Sequence, residues 1–258
     1  MMKVKAIGLA TNIDDRARNW EEGVKTTGIP YKLLGVGQKF TGWKMRSELY
    51  LKEMSEDTTT DIFIMSDIYD VLVNPKTVKK IKESEDSVKD YIISTFQSFE
   101  KPIVIGAEKI CSHNCSQFSF QNFVSGIFGN DNRYPNAGLI IGYREPLITL
   151  YQHLAKFPND QIEVGNLVSK YPRIFSLDTH SKLFYNFFVS PDDKRFGTAL
   201  FVHFPGQNFS AAARVAYNKL ANTPISSTTQ ASQIITFCII IVWIIVFLAL
   251  MYLIRIKQ

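Results

Sequence analysis

An uninterrupted apolar segment near the end of the chain constrains the fold more than any other feature of the sequence. Residues 234–254 contain no charged residue, no proline and no glycine. A helix of this length spans about 31 Å, which matches the hydrocarbon core of a bilayer. The segment is apolar on every face and is followed by Arg255 and Lys257, whereas a core helix of a soluble domain usually has a polar side. We therefore predict a single-pass transmembrane helix over residues 234–254 and a short basic tail over residues 255–258.

This prediction divides the rest of the chain into a linker and one globular domain. Residues 222–233 are polar, uncharged and rich in Ser and Thr, which is typical of a flexible tether. Residues 1–221 are enough for one α/β domain, and they begin with an apolar run that is too short for a signal peptide. We therefore expect a tail-anchored membrane protein whose domain faces the cytosol, although the basic residues around the segment favour the opposite orientation.

Charge and cysteine content narrow the classes of function. The net charge of +5 is spread along the chain, and no nucleic-acid-binding module is found, so we expect no nucleic-acid partner. Cys111 and Cys115 flank His113, but no second pair of ligands completes a zinc site. The two cysteines are predicted to be free thiols or a local disulfide, and a cytosolic domain would keep them reduced.

Strand-like and helical segments alternate along the domain. Strand patterns lie at residues 4–10, 31–36, 61–66, 102–106, 136–142, 171–177 and 199–204. Helical patterns lie at residues 14–24, 43–54 and 144–157, and another helix is predicted to begin at Asn74-Pro75. The continuous apolar centre of residues 61–66 is typical of a strand that is buried on both faces. The alternation predicts an α/β domain, in which functional residues follow the carboxyl ends of the strands.

Two carboxylates directly follow the strand at residues 61–66. Asp67 and Asp70 stand three positions apart, with Tyr69 between them. Carboxylate oxygens bind Mn²⁺ and Mg²⁺, and such a cation stabilises the negative charge of a departing diphosphate. The ring of Tyr69 offers a surface for a base. Asp residues at strand ends are also common turn formers and caps, so the motif alone leaves a structural role open.

Several short segments between residues 35 and 220 occur together in one order. They are GVGQKF from Gly35, a helix that carries Lys44, SDIYD from Ser66, IGAE from Ile105 with Cys111, YPNAG from Tyr134 with IIGY from Ile140, Asp160-Gln161, RIF from Arg173, VHFPG from Val202 and NKL from Asn218. Each segment is a weak match by itself. In this order they resemble the glycosyltransferase domain of the procollagen lysyl hydroxylases and related collagen glycosyltransferases. The resemblance implies a GT-A type, Rossmann-like domain that binds a nucleotide sugar.

The resemblance also implies a reaction and a set of site residues. The reaction is a manganese-dependent transfer of a hexose, glucose or galactose, from a UDP-sugar, with Mg²⁺ as an alternative ion. The implied metal ligands are Asp67, Asp70 and His203. The other implied roles are Tyr69 on the uracil, Lys39 and Lys44 near the phosphates, Asn136, Gly138 and Gly206 in the donor site, and catalytic roles for Asp160, near the transferred sugar, and for Lys44.

Each of these residues also has an ordinary structural interpretation. A histidine on an apolar strand such as His203 is commonly a hydrogen-bonded core residue. The segment at residues 136–138 is compatible with a simple turn, and Asp160 is compatible with a helix cap. Lys44 occupies a helical position that would usually face solvent.

The sequence departs from the family pattern at three positions, one of which, Pro205, removes a polar side chain beside the implied metal. Pro205 stands where the family has Asn, Ser112 stands where it has Trp, and Asp160 stands alone where the collagen enzymes have an acidic run. We therefore expect an acceptor other than collagen alone, either hydroxylysine-like, another protein group or a glycan. Two alternatives remain: a catalytically degenerate membrane protein that only binds nucleotide on the same fold, and a hydrolase of nucleotide sugars. The three retained ligands, Asp67, Asp70 and His203, favour the active transferase.

Overall fold

The computed structural model describes residues 2–84, 86–109, 111, 132–187, 194–205 and 211–221. The chain divides into two units, Met1–Pro205 and Gly206–Gln258. Among the described residues no helix is both long enough and apolar enough to cross a membrane. The predicted linker and transmembrane segment, residues 222–254, lie outside the described residues, so both stay predictions.

The first unit alternates strands and helices, as the sequence predicts. Its strands are β1 (Val4–Leu9), β2 (Tyr31–Leu34), β3 (Ile62–Asp67), β4 (Val71–Val73), β5 (Ile103–Glu108), β6 (Tyr134–Tyr143), β7 (Phe175–Asp178), β8 (Phe184–Asn186) and β9 (Phe201–His203). Its helices are α1 (Asp15–Thr27), α2 (Trp43–Glu56), α3 (Pro75–Glu83), α4 (Val88–Gln97), α5 (Arg144–Leu154) and α6 (Asp160–Lys170), with a 3-10 turn at Lys194–Gly197. The described part of the second unit is α7 (Ala211–Leu220).

The larger sheet has the strand order β2-β1-β3-β6-β5-β7. Strand β6 runs antiparallel to its neighbours β3 and β5, and the remaining strands run parallel to one another. The smaller sheet has the order β4-β9-β8, with β9 antiparallel to β4 and parallel to β8. Its register places His203 opposite Val71 on one side and opposite Asn186 on the other. The small sheet therefore brings the end of β9 to the turn that follows β3.

Apolar residues are buried on both faces of the larger sheet. In β3, Ile62 and Ile64 belong to a core that also contains residues of α1, α3 and α4. The alternating residues Phe63 and Met65 belong to a second core, with residues of α2, α5 and α6. Because successive strand residues point to opposite faces, a continuous apolar run is the pattern of a strand that is covered on both sides. The structure is an α/β fold with helices in two outer layers.

The predicted elements are present, with differences at their ends. The helix predicted at residues 144–157 ends at Leu154, and the strand predicted at residues 171–177 begins only at Phe175. Asn74 caps α3 by accepting from the backbone N–H of Lys76, with Pro75 as the first helical residue, as predicted. Helices α4, α6 and α7 and the strands β4 and β8 were not predicted. The two strands have only three residues each, which is too few to show a distinct periodicity.

The cysteine alternatives are partly resolved. Cys111 is disulfide-bonded, so the free-thiol interpretation is wrong for this residue. Cys115 and Cys238, the other two cysteines of the chain, lie outside the described residues.

Candidate metal centre

Three predicted ligands meet where β3 and β9 end. Asp67 is the last residue of β3, Asp70 lies in the following turn, and His203 is the last residue of β9. One ligand atom from each lies within 4.8 Å of the others. The Nε2 atom of His203 lies 3.4 Å from Oδ2 of Asp70 and 3.8 Å from Oδ2 of Asp67. One nitrogen and two carboxylate oxygens therefore converge on one point.

The orientation of the His203 ring is set by Asn186. The side-chain N–H₂ of Asn186 donates to the backbone oxygen of Ala107 at 3.0 Å, which turns the amide oxygen of Asn186 towards His203. That oxygen lies 2.7 Å from Nδ1 of His203 and accepts its hydrogen. With Nδ1 protonated, Nε2 presents a lone pair to the two carboxylates.

The environment of Nε2 of His203 is the feature of the cluster that best fits a bound cation. His203 is only 3% exposed, and within the described part of the chain its Nε2 is buried with no hydrogen-bond partner. Leaving a buried polar atom unpaired costs free energy, so native structures rarely keep one without a reason. An imidazole nitrogen beside two carboxylates is a donor set that suits Mn²⁺, with Mg²⁺ favouring the oxygens. The residues present therefore fit the predicted ion.

Gly138 has no side chain, and this leaves room for His203 and Asp67 to approach each other. A Cβ atom at this position would lie 2.4 Å from Cε1 of His203 and 2.8 Å from Oδ2 of Asp67. Both distances are far shorter than ordinary contacts, so a side chain would displace the ligands. Gly138 was predicted as a donor-site residue, and the structure places it against the predicted metal ligands His203 and Asp67.

The charges of the cluster act on one another. Burial alone lowers the pKa of His203, but the carboxylates of Asp70 and Asp67 reverse this and raise that pKa above its usual value. Burial raises the pKa of Asp67 and outweighs the lowering effect of the Arg46 guanidinium. A proton and a metal ion would compete for Nε2 of His203, so metal binding should weaken as the pH falls.

Arg46, on α2, contacts the cluster through Asp67. Its Nη1 donates to Oδ1 of Asp67, while Nε and Nη2 donate to Oδ2 of Asp160 at 3.0 and 2.6 Å. The guanidinium also lies over the ring of Trp43, 4.5 Å from its centre. Arg46 and Asp160 are both buried, at 5% and 3% exposure. Asp160, predicted as catalytic, is thus linked through Arg46 to a predicted metal ligand.

Hydrogen bonds also fix the part of β6 that faces the cluster. Asn136 donates to Glu108 at 2.9 Å and accepts from the backbone N–H of Gly138 at 2.9 Å. Gln161 accepts from the backbone N–H of Ala137 at 2.7 Å and donates to the backbone oxygen of Pro135 at 2.8 Å. These contacts explain why Asn136 is 6% exposed, and they hold the backbone of Gly138 in place.

Tyr69 connects the metal cluster to the end of β1. Its hydroxyl donates to the backbone oxygen of Asn12 at 2.9 Å and lies 3.0 Å from the backbone nitrogen of the same residue. The guanidinium of Arg16 lies 5.0 Å from the centre of its ring. The ring is therefore held at the carboxyl ends of two parallel strands, β1 and β3, where ligands bind in open α/β sheets.

The two predicted phosphate ligands lie on the surface. The Nζ atom of Lys44 is 3.7 Å from Glu48, one turn along α2, and its side chain is 60% exposed. Lys39 is exposed in the segment before that helix. Gly206 lies outside the described residues. The roles of these three residues stay predictions.

Sequence reasoning missed Arg46 and Asn186. The family pattern has a lysine on this helix, which favours Lys44, yet the basic side chain that contacts Asp67 is that of Arg46, two positions further on. Asn186 lies in a three-residue strand that was not predicted. Its only signal in the sequence is a polar residue within the apolar run of residues 183–188.

Comparisons with known proteins agree with this fold. A family profile described as "PLOD GT domain" matches residues 1–198. A solved structure of "a glycosyltransferase involved in the glycosylation of the major capsid of PBCV-1" is similar, with a TM-score of 0.52 and 17% identity. The match covers 84% of this chain and 98% of that chain, and at this identity it shows the GT-A-like fold alone.

A second solved structure is too dissimilar to support the fold assignment. The solved structure of A197 from STIV has a TM-score of 0.34 and 12% identity, over 57% of this chain and 67% of that chain. No curated protein matches the chain significantly. The family profile covers most of the chain and includes Asp67 and Asp70, and the chain therefore belongs to the family of PLOD glycosyltransferase domains.

Proposed function

We propose that the protein is a metal-dependent glycosyltransferase that moves glucose or galactose from a UDP-sugar to a protein or glycan acceptor. Membership of the PLOD glycosyltransferase family supports the class of reaction. The observation that carries the metal dependence is the buried Nε2 of His203, which lies 3.4 Å from the carboxylate of Asp70 and 3.8 Å from that of Asp67.

The proposed metal ligands are Asp67, Asp70 and His203. When bound, Mn²⁺ or Mg²⁺ supplies Lewis-acid stabilisation of the negative charge on the departing diphosphate. Asn186 holds the His203 ring in the tautomer that leaves Nε2 available, and Gly138 keeps side-chain atoms out of the space between the ligands. Preorganised ligands of this kind need little rearrangement when charge develops.

The proposed nucleoside site lies beside Tyr69. The hydrogen bonds between Tyr69 and Asn12 hold the ring at the ends of β1 and β3, so that it could receive the uracil. Lys44 or Lys39 would neutralise phosphate charge. Both are exposed, and moving Lys44 away from Glu48 would cost little because exposed ion pairs contribute only about 0–1 kcal/mol.

We propose that collagen is not the sole acceptor of this enzyme. Asp160 would lie near the transferred sugar, and it stands alone where the collagen enzymes have an acidic run. Hydroxylysine-like, other protein and glycan acceptors all agree with this departure. We place the enzyme on a membrane through residues 234–254, as the apolar segment predicts.

Release of UDP by the full-length, detergent-solubilised protein tests the proposal. The assay would use UDP-glucose and UDP-galactose, each with Mn²⁺, with Mg²⁺ and with a metal chelator. The variant Asp70→Asn removes one ligand charge while keeping the size of the side chain. The matched control is Asp15→Asn, because the carboxylate of Asp15 is 91% exposed in the first turn of α1.

We expect metal-dependent release with at least one donor, a decrease of about 100-fold or more in Asp70→Asn, and an unchanged rate in Asp15→Asn. Inhibition by the chelator shows that a metal is needed, but it does not show where the metal binds. The proposal also requires that added metal does not restore full UDP release to Asp70→Asn. Release that is independent of metal, or equal in Asp70→Asn, would reject the proposal. Mn²⁺-dependent binding of UDP without any release would support the alternative of a nucleotide-binding protein.

A further inference from the structure

Arg46 divides the two oxygens of Asp67 between two partners. Oδ1 of Asp67 accepts from Nη1 of Arg46. Oδ2 of Asp67 is the oxygen that lies 3.8 Å from Nε2 of His203 and that a Cβ on Gly138 would meet at 2.8 Å. One oxygen of Asp67 is therefore held by Arg46, and the other is directed towards His203 and Gly138.

The guanidinium is itself held from two other sides. Two of its nitrogens, Nε and Nη2, donate to the same oxygen of Asp160, and its plane lies over the ring of Trp43. A guanidinium carries five N–H groups in a rigid planar fork, whereas a lysine ammonium is a single point charge. Only an arginine has the shape to contact Asp67 and Asp160 in this way.

We propose that Arg46 is a positioning residue of the metal centre. The proposal rests on the function proposed above. Arg46 holds Asp67 so that one carboxylate oxygen faces His203 and Asp70, and Asp160 anchors Arg46 in that position. Asp160 therefore influences the metal centre without being one of its ligands.

Loss of Arg46 would affect metal affinity in opposite directions if the residue acted through its charge and if it acted by positioning Asp67. A cation beside a ligand repels a metal ion, so loss of the Arg46 charge should strengthen metal binding if charge were its only contribution. A purely structural ion pair between α2 and α6 would change stability and leave the metal affinity of the folded protein unchanged. If Arg46 positions Asp67, its replacement should weaken metal binding, even by a lysine that keeps the charge.

Binding of Mn²⁺ alone to the full-length protein, measured by calorimetry, tests the proposal. The variants are Arg46→Lys, which keeps the charge and removes the fork, Asp160→Asn, and the combination of the two. The control is Arg144→Lys, because Arg144 is a partly buried arginine that donates to the backbone oxygens of Met54 and Asp57 and contacts none of the proposed ligands. Near-UV circular dichroism checks that each variant is folded.

We expect a dissociation constant about 10- to 100-fold higher in Arg46→Lys, which is the usual effect of losing a partner of a metal ligand. Asp160→Asn should also bind Mn²⁺ more weakly than the wild type. The dissociation constant of the double variant should lie within about twofold of that of Arg46→Lys, because both changes break the same chain of contacts. Arg144→Lys should match the wild type.

Equal or tighter binding in a folded Arg46→Lys would overturn the proposal, as would fully additive effects in the double variant. If Arg46→Lys does not fold, Arg46→Gln decides: positioning predicts weaker binding, and charge alone predicts tighter binding. Absence of Mn²⁺ binding in the wild type would instead reject the metal centre of the proposed function. The two failures are therefore distinguishable.

Discussion

Asn186 decides which nitrogen of His203 faces the two aspartates. Its amide oxygen lies 2.7 Å from Nδ1, and its amide nitrogen is held by the backbone oxygen of Ala107. Without this acceptor the ring is free to change tautomer or to rotate. We expect Asn186→Ala to weaken Mn²⁺ binding about 10- to 100-fold, as measured by the Mn²⁺ concentration needed for half-maximal release of UDP.

The matched control for this prediction is Asn132→Ala. Asn132 is also fully buried and also donates to the backbone oxygen of Ala107, at 2.9 Å. Both variants should lose similar stability, but only Asn186→Ala should need more Mn²⁺. An equal Mn²⁺ requirement in the two variants would contradict the role of Asn186.

Gly138 provides a steric test of the same cluster. In Gly138→Ala the added methyl group would lie 2.4 Å from Cε1 of His203, so the ligands must separate. We expect UDP release to decrease by about 100-fold or more while the domain stays folded. In the control Gly197→Ala, the added Cβ meets no atom within 4 Å, and release should be unchanged. Wild-type release by Gly138→Ala would show that the three residues do not act together.

The sequence was sufficient to predict that Asp67, Asp70 and His203 lie together, but not which residues orient them. Asp67 and Asp70 follow a strand with a distinctive apolar pattern, and His203 was found through the order of the family segments. Arg46 was missed because a basic residue on a helix usually faces solvent, and sequence alone does not show that two distant aspartates lie beside it. Such contacts join residues 21 and 114 positions apart.

At the scale of elements, an ion cluster ties helix α2 to the first strands. Glu53 of α2 is 5% exposed and accepts from Lys5 of β1 at 2.7 Å, and it also pairs with Lys32 of β2. Burial alone raises the pKa of Glu53, but the bonds from Lys32 and Lys5 overcome this and lower it below 4.5. The cluster helps to place the helix that carries Arg46.

We expect Glu53→Gln to lower the free energy of unfolding by roughly 1–3 kcal/mol at pH 7, because Lys5 loses a buried partner. A lowered pKa stabilises the fold above the unfolded value near 4.5, and this stabilisation is lost as the pH falls through the folded value. The difference between wild type and Glu53→Gln, measured by urea unfolding, should therefore shrink from pH 7 to pH 3.

The control on the same helix is Glu56→Gln. Glu56 is 62% exposed and lies 3.9 Å from Lys52, so its loss should change stability by less than about 0.5 kcal/mol. A difference for Glu53→Gln that is constant with pH, or as small as that of Glu56→Gln, would contradict this account.

Most strands of the larger sheet were predicted, but their directions and the three-residue strands β4 and β8 were not. Strands β1, β2 and β3 have apolar runs that indicate burial, but a run of residues carries no information on strand direction. The antiparallel direction of β6 depends on its partners β3 and β5. The small sheet that carries Asn186 and His203 is made of three-residue strands, whose pairing is specified by contacts between residues that are distant in sequence.

At the scale of the whole molecule, the apolar segment predicts attachment to a membrane. We expect the full-length protein to stay with membranes after an alkaline wash. Two lysines, Ile244→Lys and Ile245→Lys, should oppose insertion by about 5 kcal/mol or more and release the protein. The control is Ile256→Lys, which lies beyond the segment. Retention of the double variant, or release of the wild type, would contradict the transmembrane prediction.

We propose that this α/β domain of the PLOD glycosyltransferase family uses Asp67, Asp70 and His203 as a metal centre. Anomalous X-ray scattering at the manganese edge, from crystals grown with Mn²⁺ and UDP, tests this most directly. We predict a single strong peak within bonding distance of both carboxylates and of Nε2 of His203. A peak that lies elsewhere, or density for UDP with no manganese beside these three residues, would contradict the account.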